Sequence, residues 1–527
     1  MGHSTKTTSA HRAMVVSGHE AATEAAARCL EQGGSIADAA LTGAAALSVA
    51  LPQACGLGGD AFILAHDAHT GEVLGLNASG FSPALATPAH FADGITPQGA
   101  HSGNVPGMVG GWQALHERLG RLPWAEILAP AITLAREGVP ASTVLARATA
   151  LHQALLADDP GSRSLFLPGG APLTAGAPLV QTALAQTLET IAREGSAAFY
   201  RGDIAQRLCA TVEARGGLLR ADDMAAYAPL WVTPLSVGYQ GHRVFAMPPN
   251  SYGLYLLLQL MALEDSAGAD FAVDAADHET PTDPAVARLL RLIRAAQAAF
   301  SVGARAVADP DPRHGTEPAA ALLGPQGLAR LRKAGAGRPG NRGGTAVISV
   351  ADHEGNAVII IQSVYYAFGS GLTDPATGIL LNNRLAGFNT EAGHPNAVGP
   401  RKRPAHTLCP ALVFRDGRLR HALSTPGGPG QTLTLAQVIQ ALVEDGADLQ
   451  AAIDAPRWSM GLAGELLAES TLAQATVDGL AGAGSELARA AAGTPFFGSV
   501  KGISLEPDGR LIGVADQRRN ATARGVD

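Results

Sequence analysis

Twelve residues at 333–344, KAGAGRPGNRGG, run directly into a threonine that opens two β-branched apolar segments, TAVISVAD and AVIIIQSVYY, separated by HEGN. Five of those twelve residues are glycine and none is large and apolar. Pro339 lacks the N–H that a strand ladder needs, so the stretch reads as an exposed, mobile loop. The two apolar segments predict a hairpin turning at Gly355, and the first is apolar enough to be buried on both faces. A loose loop is thus tied to a strand inside a core, with Thr345 at the junction. A threonine hydroxyl is a poor nucleophile until a base takes its proton. If the chain were cut before Thr345, the new α-amine, with a pKa of about 8, could be that base. Gly343 and Gly344 would allow the twisted backbone in which the Thr345 hydroxyl attacks the preceding carbonyl. On these residues alone, a plain loop before a strand is the simpler reading.

Other segments fill in the architecture. His19–Gly33 has a helical rhythm, and Ser35 caps a second helix running to about Ala50. Ala61–Leu64 and Val73–Leu76 read as strands joined by a turn at His69-Thr70-Gly71. Helical patterns cover Gly110–Glu137, Gln181–Glu194, Tyr252–Glu264 and Pro284–Arg305. A second glycine-rich stretch, Ser424–Thr432 (STPGGPGQT), precedes a helical pattern ending at Glu444. It could be a turn or a phosphate loop, although the lysine of a phosphate loop is missing.

Composition narrows the function classes. A length of 527 residues allows three or four domains at about 150 residues each. The net charge is −8, so no basic footprint for nucleic acid exists at the level of the whole chain. The run Arg401-Lys402-Arg403 is short and reads as structural or surface. Four scattered cysteines suggest neither a disulfide framework nor a zinc site. The apolar stretch Ala39–Leu51 is too short to span a bilayer and reads as a buried alanine-rich helix. The N-terminus shows no charged segment leading into an apolar core, so a cytoplasmic protein without membrane contact is expected. His66, Asp67 and His69 straddle a turn and are expected to face solvent, with no metal site. Asp352 and Glu354 are expected to serve the hairpin turn.

Landmarks along the whole chain then bear on Thr345. GGSIADAALTGAAALSVALPQACGLGGDAFIL, GNVPGMVGGW, LPWAEILAPAITLAREG, FYRGDIA, GGLLRADDMAAY and MPPNSYG come first. TAVISVADHEGNAVIIIQSVYYAFGSGLTDPATGILLNN, NAVGPRKRPAHTLCPALV, TPGG and PDGRLIGVADQR follow. In this order they resemble the gamma-glutamyltranspeptidase family of N-terminal nucleophile hydrolases. The resemblance implies an α+β fold, a four-layer αββα sandwich. It also implies self-cleavage between Gly344 and Thr345 into segments 1–344 and 345–527, which stay associated as one intertwined domain; such pairs could assemble as a dimer of heterodimers. Thr345 would be the nucleophile, Ser363 a hydroxyl that hydrogen-bonds it, and Gly427 and Gly428 the backbone donors of an oxyanion hole. No cofactor or metal is implied.

The departures point to the substrate. In the family an arginine grips the α-carboxylate of a glutamyl group, and here Ser79 stands near that position. The aspartate that holds the α-amino group corresponds to Gly387. The family's second threonine corresponds to Ala346, a substrate-contacting asparagine to Tyr365, and a serine to His406, followed by Thr407. Each lost charge-assisted contact costs roughly 1.5–3 kcal/mol. Tyr365 should shrink the pocket, while Arg384 and His406 could supply cations. Such a pocket suits a short substrate with a carboxylate beside the scissile amide, as in a branch of the family that cleaves oxamate. Gamma-glutamyl hydrolysis or transfer, and broader acylase activity, stay open. So does an unprocessed, non-catalytic binding protein on the same fold.

Overall fold

The computed structural model describes residues 6–265, 281–340, 343–491 and 494–527. Two seven-stranded sheets form its centre. The first runs Thr522–Val526, Ala13–Ser17, Gly344–Asp352, Ala357–Tyr365, Asp60–Asp67, Glu72–Ala78, Leu230–Val232. The second runs Lys6–Ala10, Leu511–Ala515, Lys501–Leu505, Arg418–Ser424, Ala411–Arg415, His242–Ala246, Leu235–Tyr239. Pairing is antiparallel throughout both.

Period-2 alternation divides the side chains of the first sheet between two cores. Val347, Ile359, Ile361, Phe62 and Leu64 pack between the sheets against Leu412, Phe414 and Ile503. Ile348, Val350, Val358 and Ile360 pack outward into a core shared with the helices Glu20–Glu31 and Ile36–Ala50. The helices Gly253–Asp265, Pro284–Gly303 and Gly430–Val443 cover the outer face of the second sheet. The result is the helix–sheet–sheet–helix order expected from the sequence. Burial on both faces explains why the central strands read as continuous apolar runs.

The Ile36–Ala50 helix is buried at every residue. Small side chains let it approach closely: a Cβ added at Gly43 would lie 2.1 Å from Ile348 Cδ1. A capping box starts it, with the Asp38 amide donating to Ser35 Oγ and the Asp38 carboxylate accepting from the Ser35 amide. The same carboxylate accepts from the amides of Arg121 and Leu122. Both sheets combine strands from either side of Gly344, so neither segment holds a complete sheet alone. No helix among the described residues is long and apolar enough to cross a membrane.

Several expectations change in detail. The helical pattern at 110–137 is two helices, Met108–Leu119 and Trp124–Glu137, broken at Gly120, where a Cβ would meet His116 O at 2.5 Å. The loop at 333–340 is partly held down: Gly337 N–H donates to Gln297 O, and Pro339 is buried. Asn341 and Arg342 lie outside the described residues. His66 is buried, not solvent-facing, because its Nδ1 lies 2.7 Å from Gly355 O and its ring packs edge-on to Phe414. Asp352 accepts from the amides of Glu354 and Asn356, which is turn chemistry. All four cysteines are free and buried.

Because Asp38 satisfies three buried-side amides, Asp38→Ala should lower unfolding stability by about 2–4 kcal/mol. Urea denaturation checks this; a loss under 1 kcal/mol would show that the amides find water instead.

Candidate active site

Thr345 sits at an irregularity in the middle of the first sheet. Gly344 pairs with Tyr365, but Ala346 pairs with Gln362, so Ser363 and Val364 together oppose Thr345. This β-bulge re-aims the local side chains, and Tyr365 after it takes a φ of 82° that non-glycine residues rarely adopt. The Ser363 hydroxyl accepts from the Tyr365 amide at 2.7 Å and donates to the Gly344 carbonyl at 2.5 Å. In the uncut chain Ser363 therefore holds the carbonyl that precedes Thr345. The partner of the Thr345 hydroxyl is Gln431, whose Nε2 donates to Oγ1 at 3.2 Å.

Gly427 and Gly428 lie at the head of the Gly430–Val443 helix, with φ values of 142° and 57°. Both conformations favour glycine. Neither N–H has an acceptor among the described residues, and the positive end of the helix dipole adds to them. Gly498 backs this loop: a Cβ there would lie 2.5 Å from Thr425 Oγ1. Thr407 and Tyr365 flank the residue before the junction, since a Cβ on Gly343 would lie 3.4 Å from Thr407 Oγ1 and 3.6 Å from Tyr365 Cδ2.

Beyond Tyr365 lies a buried charge cluster. The Arg384 guanidinium carbon is 4.1 Å from the centre of the Tyr365 ring, and its Nε donates to Asp60 Oδ2 at 3.0 Å. His406 Nε2 lies 3.4 Å from the same oxygen, and Gly80 N–H donates to Asp60 Oδ1 at 2.7 Å. All three side chains are fully buried. Burial penalises the Asp60 charge, but the nearby His406 imidazole, the Arg384 charge and the Gly80 amide hold its carboxyl below the usual range. Burial and the neighbouring Arg384 charge push His406 down to about 4. The set at neutral pH is an aspartate, an arginine and a neutral histidine. Arg384 is fully buried, yet both terminal nitrogens and the Tyr365 hydroxyl lack partners among the described residues.

Two other positions are structural. Ser79 donates to Asn77 Oδ1 and accepts from Asn250 Nδ2, while Gly387 O accepts from Asn396 Nδ2. Asp60 and Gln431 were not singled out from the sequence. Asp60 was legible as a lone carboxylate opening the apolar run AFILA; Gln431 carried no local signal. Among the described residues no cluster of three or more His, Cys, Asp or Glu could hold a metal ion.

Residues 22–526 match the family model for gamma-glutamyltranspeptidase. The chain belongs to the gamma-glutamyltranspeptidase family. It is an amidohydrolase of the N-terminal-nucleophile type. It is 34% identical to the glutathione hydrolase-like YwrD proenzyme of Bacillus subtilis over 97% of this chain and 98% of that one. Identity to the oxamate amidohydrolase proenzyme of Klebsiella pneumoniae is 33%, over 97% and 98%. Among solved structures, the cephalosporin acylase of Bacillus halodurans superimposes with a TM-score of 0.89 at 30% identity, covering 99% and 97%.

The His406 shift has a definite sign. Its folded pKa of about 4 lies below the unfolded value of about 6.5. Stability tied to the neutral ring is therefore complete above pH ~6.5 and lost as pH falls toward 4, on the order of 3 kcal/mol. Denaturant titrations from pH 7 to pH 4 should show a shallower loss for His406→Gln than for the unaltered protein. Equal slopes would mean that His406 titrates normally.

Proposed function

We propose that the protein cuts itself between Gly344 and Thr345 and then hydrolyses the amide bond of a small carboxylate-bearing substrate, with oxamate the best candidate. One observation carries the first part: Thr345 lies in a bulge where Ser363 already holds the preceding carbonyl at 2.5 Å. The Thr345 hydroxyl attacks the Gly344 carbonyl carbon, and Ser363 donates to the carbonyl oxygen as negative charge gathers on it. The Gly344–Thr345 C–N bond breaks, an ester forms, and water hydrolyses it. This frees the Thr345 amine. Segments 1–344 and 345–527 then remain joined through their interleaved strands.

In turnover, the free amine takes the Thr345 hydroxyl proton while the oxygen attacks the substrate amide carbonyl. The amides of Gly427 and Gly428 receive the oxyanion. Collapse returns the proton to the departing ammonia, and water resolves the acyl-enzyme to a free carboxylate. For oxamate the products are ammonia and oxalate.

Support for a small acid comes from the buried charge cluster beside Tyr365. Ser79 and Gly387 offer no charge for a glutamyl head group. Both terminal nitrogens of Arg384 lack a partner among the described residues, and a carboxylate could take them in a fork. The relatives named for glutathione, oxamate and cephalosporin make parallel assays the deciding comparison. Turnover should be fastest with oxamate, against glutathione and a glutaryl amide. Fastest turnover of glutathione, raised further by dipeptide acceptors, would overturn the small-acid reading.

Thr345→Ala should abolish both the two-band pattern on a denaturing gel and turnover. Two bands from that variant would place the cut elsewhere, and one uncut, inert band from the unaltered chain would favour a binding protein. Arg384→Lys keeps a charge for Asp60 but loses the fork, so KM for oxamate should rise roughly 10- to 100-fold while splitting is unchanged. An unchanged KM would remove Arg384 from substrate binding.

A further inference from the structure

Gln431 is held in a way that fixes its chemistry. It is the second residue of the Gly430–Val443 helix and is fully buried. Its Oε1 accepts from the Cys409 amide at 3.1 Å, and its Nε2 donates to Thr345 Oγ1 at 3.2 Å. A backbone amide can only donate, so the first bond sets the orientation of the side-chain amide. The nitrogen must then face Thr345. The Cys409 backbone is itself buried, just ahead of the Ala411–Arg415 strand.

We infer that Gln431 is a catalytic residue acting on the Thr345 oxygen. This rests on the reading of Thr345 as the nucleophile. Because Gln431 can only donate to Oγ1, it fills one lone pair and leaves the hydroxyl proton pointing to another acceptor. Once the chain is cut, that acceptor is the α-amine. As the proton leaves and negative charge builds on Oγ1, the same N–H bond strengthens, so it stabilises the transition state more than the resting hydroxyl. In the acyl-enzyme Oγ1 is an ester oxygen, a weak acceptor. When water attacks that ester, Oγ1 regains charge as the leaving oxygen, and Gln431 is in place to receive it. One side chain thus serves self-cleavage, acylation and deacylation, since all three make or break a bond to Oγ1. Ser363 and the two glycines act on carbonyl oxygens, a different atom.

The test uses the full chain with Gln431→Leu and Gln431→Glu, alongside Thr345→Ala. Gln431→Leu should slow both splitting and kcat by about 10- to 100-fold with KM within about twofold, because the lost bond matters only as charge forms on Oγ1. Gln431→Glu keeps an oxygen for the Cys409 amide, which guards against a folding defect. It also sets a carboxylate beside the Thr345 amine. A negative neighbour favours the ammonium form, so the acid limb of kcat/KM should move up by about one pH unit. A purely structural glutamine would not move that limb. Wild-type splitting and kcat in Gln431→Leu, or an unshifted limb in Gln431→Glu, overturns the role of Gln431. If Thr345→Ala is uncut and inert in the same series, the nucleophile reading stands regardless. If Thr345→Ala splits or turns over, that reading falls and the role of Gln431 falls with it.

Discussion

The pairing of Gly344–Asp352 with Ala357–Tyr365 governs the rest of the molecule. Both strands are buried on both faces, so a register slip would exchange the side chains of the inter-sheet core with those of the helix-covered core. That rigidity is what makes one irregularity useful. Six residue pairs share one register, and the seventh, at the end, is shifted where two residues oppose one. The extra residue brings the Ser363 hydroxyl onto the Gly344 carbonyl and turns Tyr365 into a left-handed conformation. A loop could not hold these atoms so closely. A regular ladder would have offered the carbonyl a backbone partner in place of a hydroxyl.

Charge is organised around this pair by contrast. Among the described residues Arg384 and Arg457 are the buried arginines, and they are bonded differently. Arg457 uses Nη1 on Phe497 O and Nη2 on Ile453 O, with Asp516 Oδ2 at 2.8 Å, and so ties down the segment behind the Gly427 loop. Arg384 gives Nε to Asp60, and both its terminal nitrogens are without a partner among the described residues. Burying a guanidinium costs several kcal/mol, and a half-bonded one recovers less of it. Arg457 lacks a partner among the described residues only at Nε, so its network is nearly complete. An unfinished one beside Tyr365, near the proposed nucleophile, is what a site that completes itself with an anion would have.

The fold was readable where periodicity carried it. The helix at Ile36–Ala50 begins one residue after the predicted cap, and the hairpin at Gly344–Tyr365 turns at Gly355 as the residues require. The order of landmarks identified the sandwich, which no local pattern could have done, because neighbouring strands of one sheet come from residues as distant as Ala13 and Thr522. The break between Leu119 and Trp124 was missed because apolar spacing continues across it; the helix stops where Gly120 turns extended, and Pro123 precedes the next one. His66 was misjudged for a related reason. Its neighbours Asp67 and His69 belong to a turn, but His66 is the last inward residue of its strand and bonds across to Gly355.

The site was readable atom by atom only in part. Thr345, Gly427 and Gly428 are marked by their own backbone demands, which a sequence displays as glycine and junction. Gln431 and Asp60 are marked by partners more than 80 and 300 residues away, Thr345 and Arg384, which a single sequence does not display. Ser363 falls between the two cases. The resemblance placed it beside Thr345, while the bulge decides which atom it touches. That distinction divides the chemistry. Ser363 holds the carbonyl on the large-segment side of the junction, Gln431 holds the hydroxyl on the small-segment side, and the bond proposed for cleavage lies between them. Once Gly344 becomes a free carboxylate it no longer needs to stay, whereas Gln431, Gly427 and Gly428 all belong to the small segment with Thr345. The groups proposed for turnover are therefore carried together on one fragment, and the bond from Ser363 to the Gly344 carbonyl is the one that the proposed cut would release.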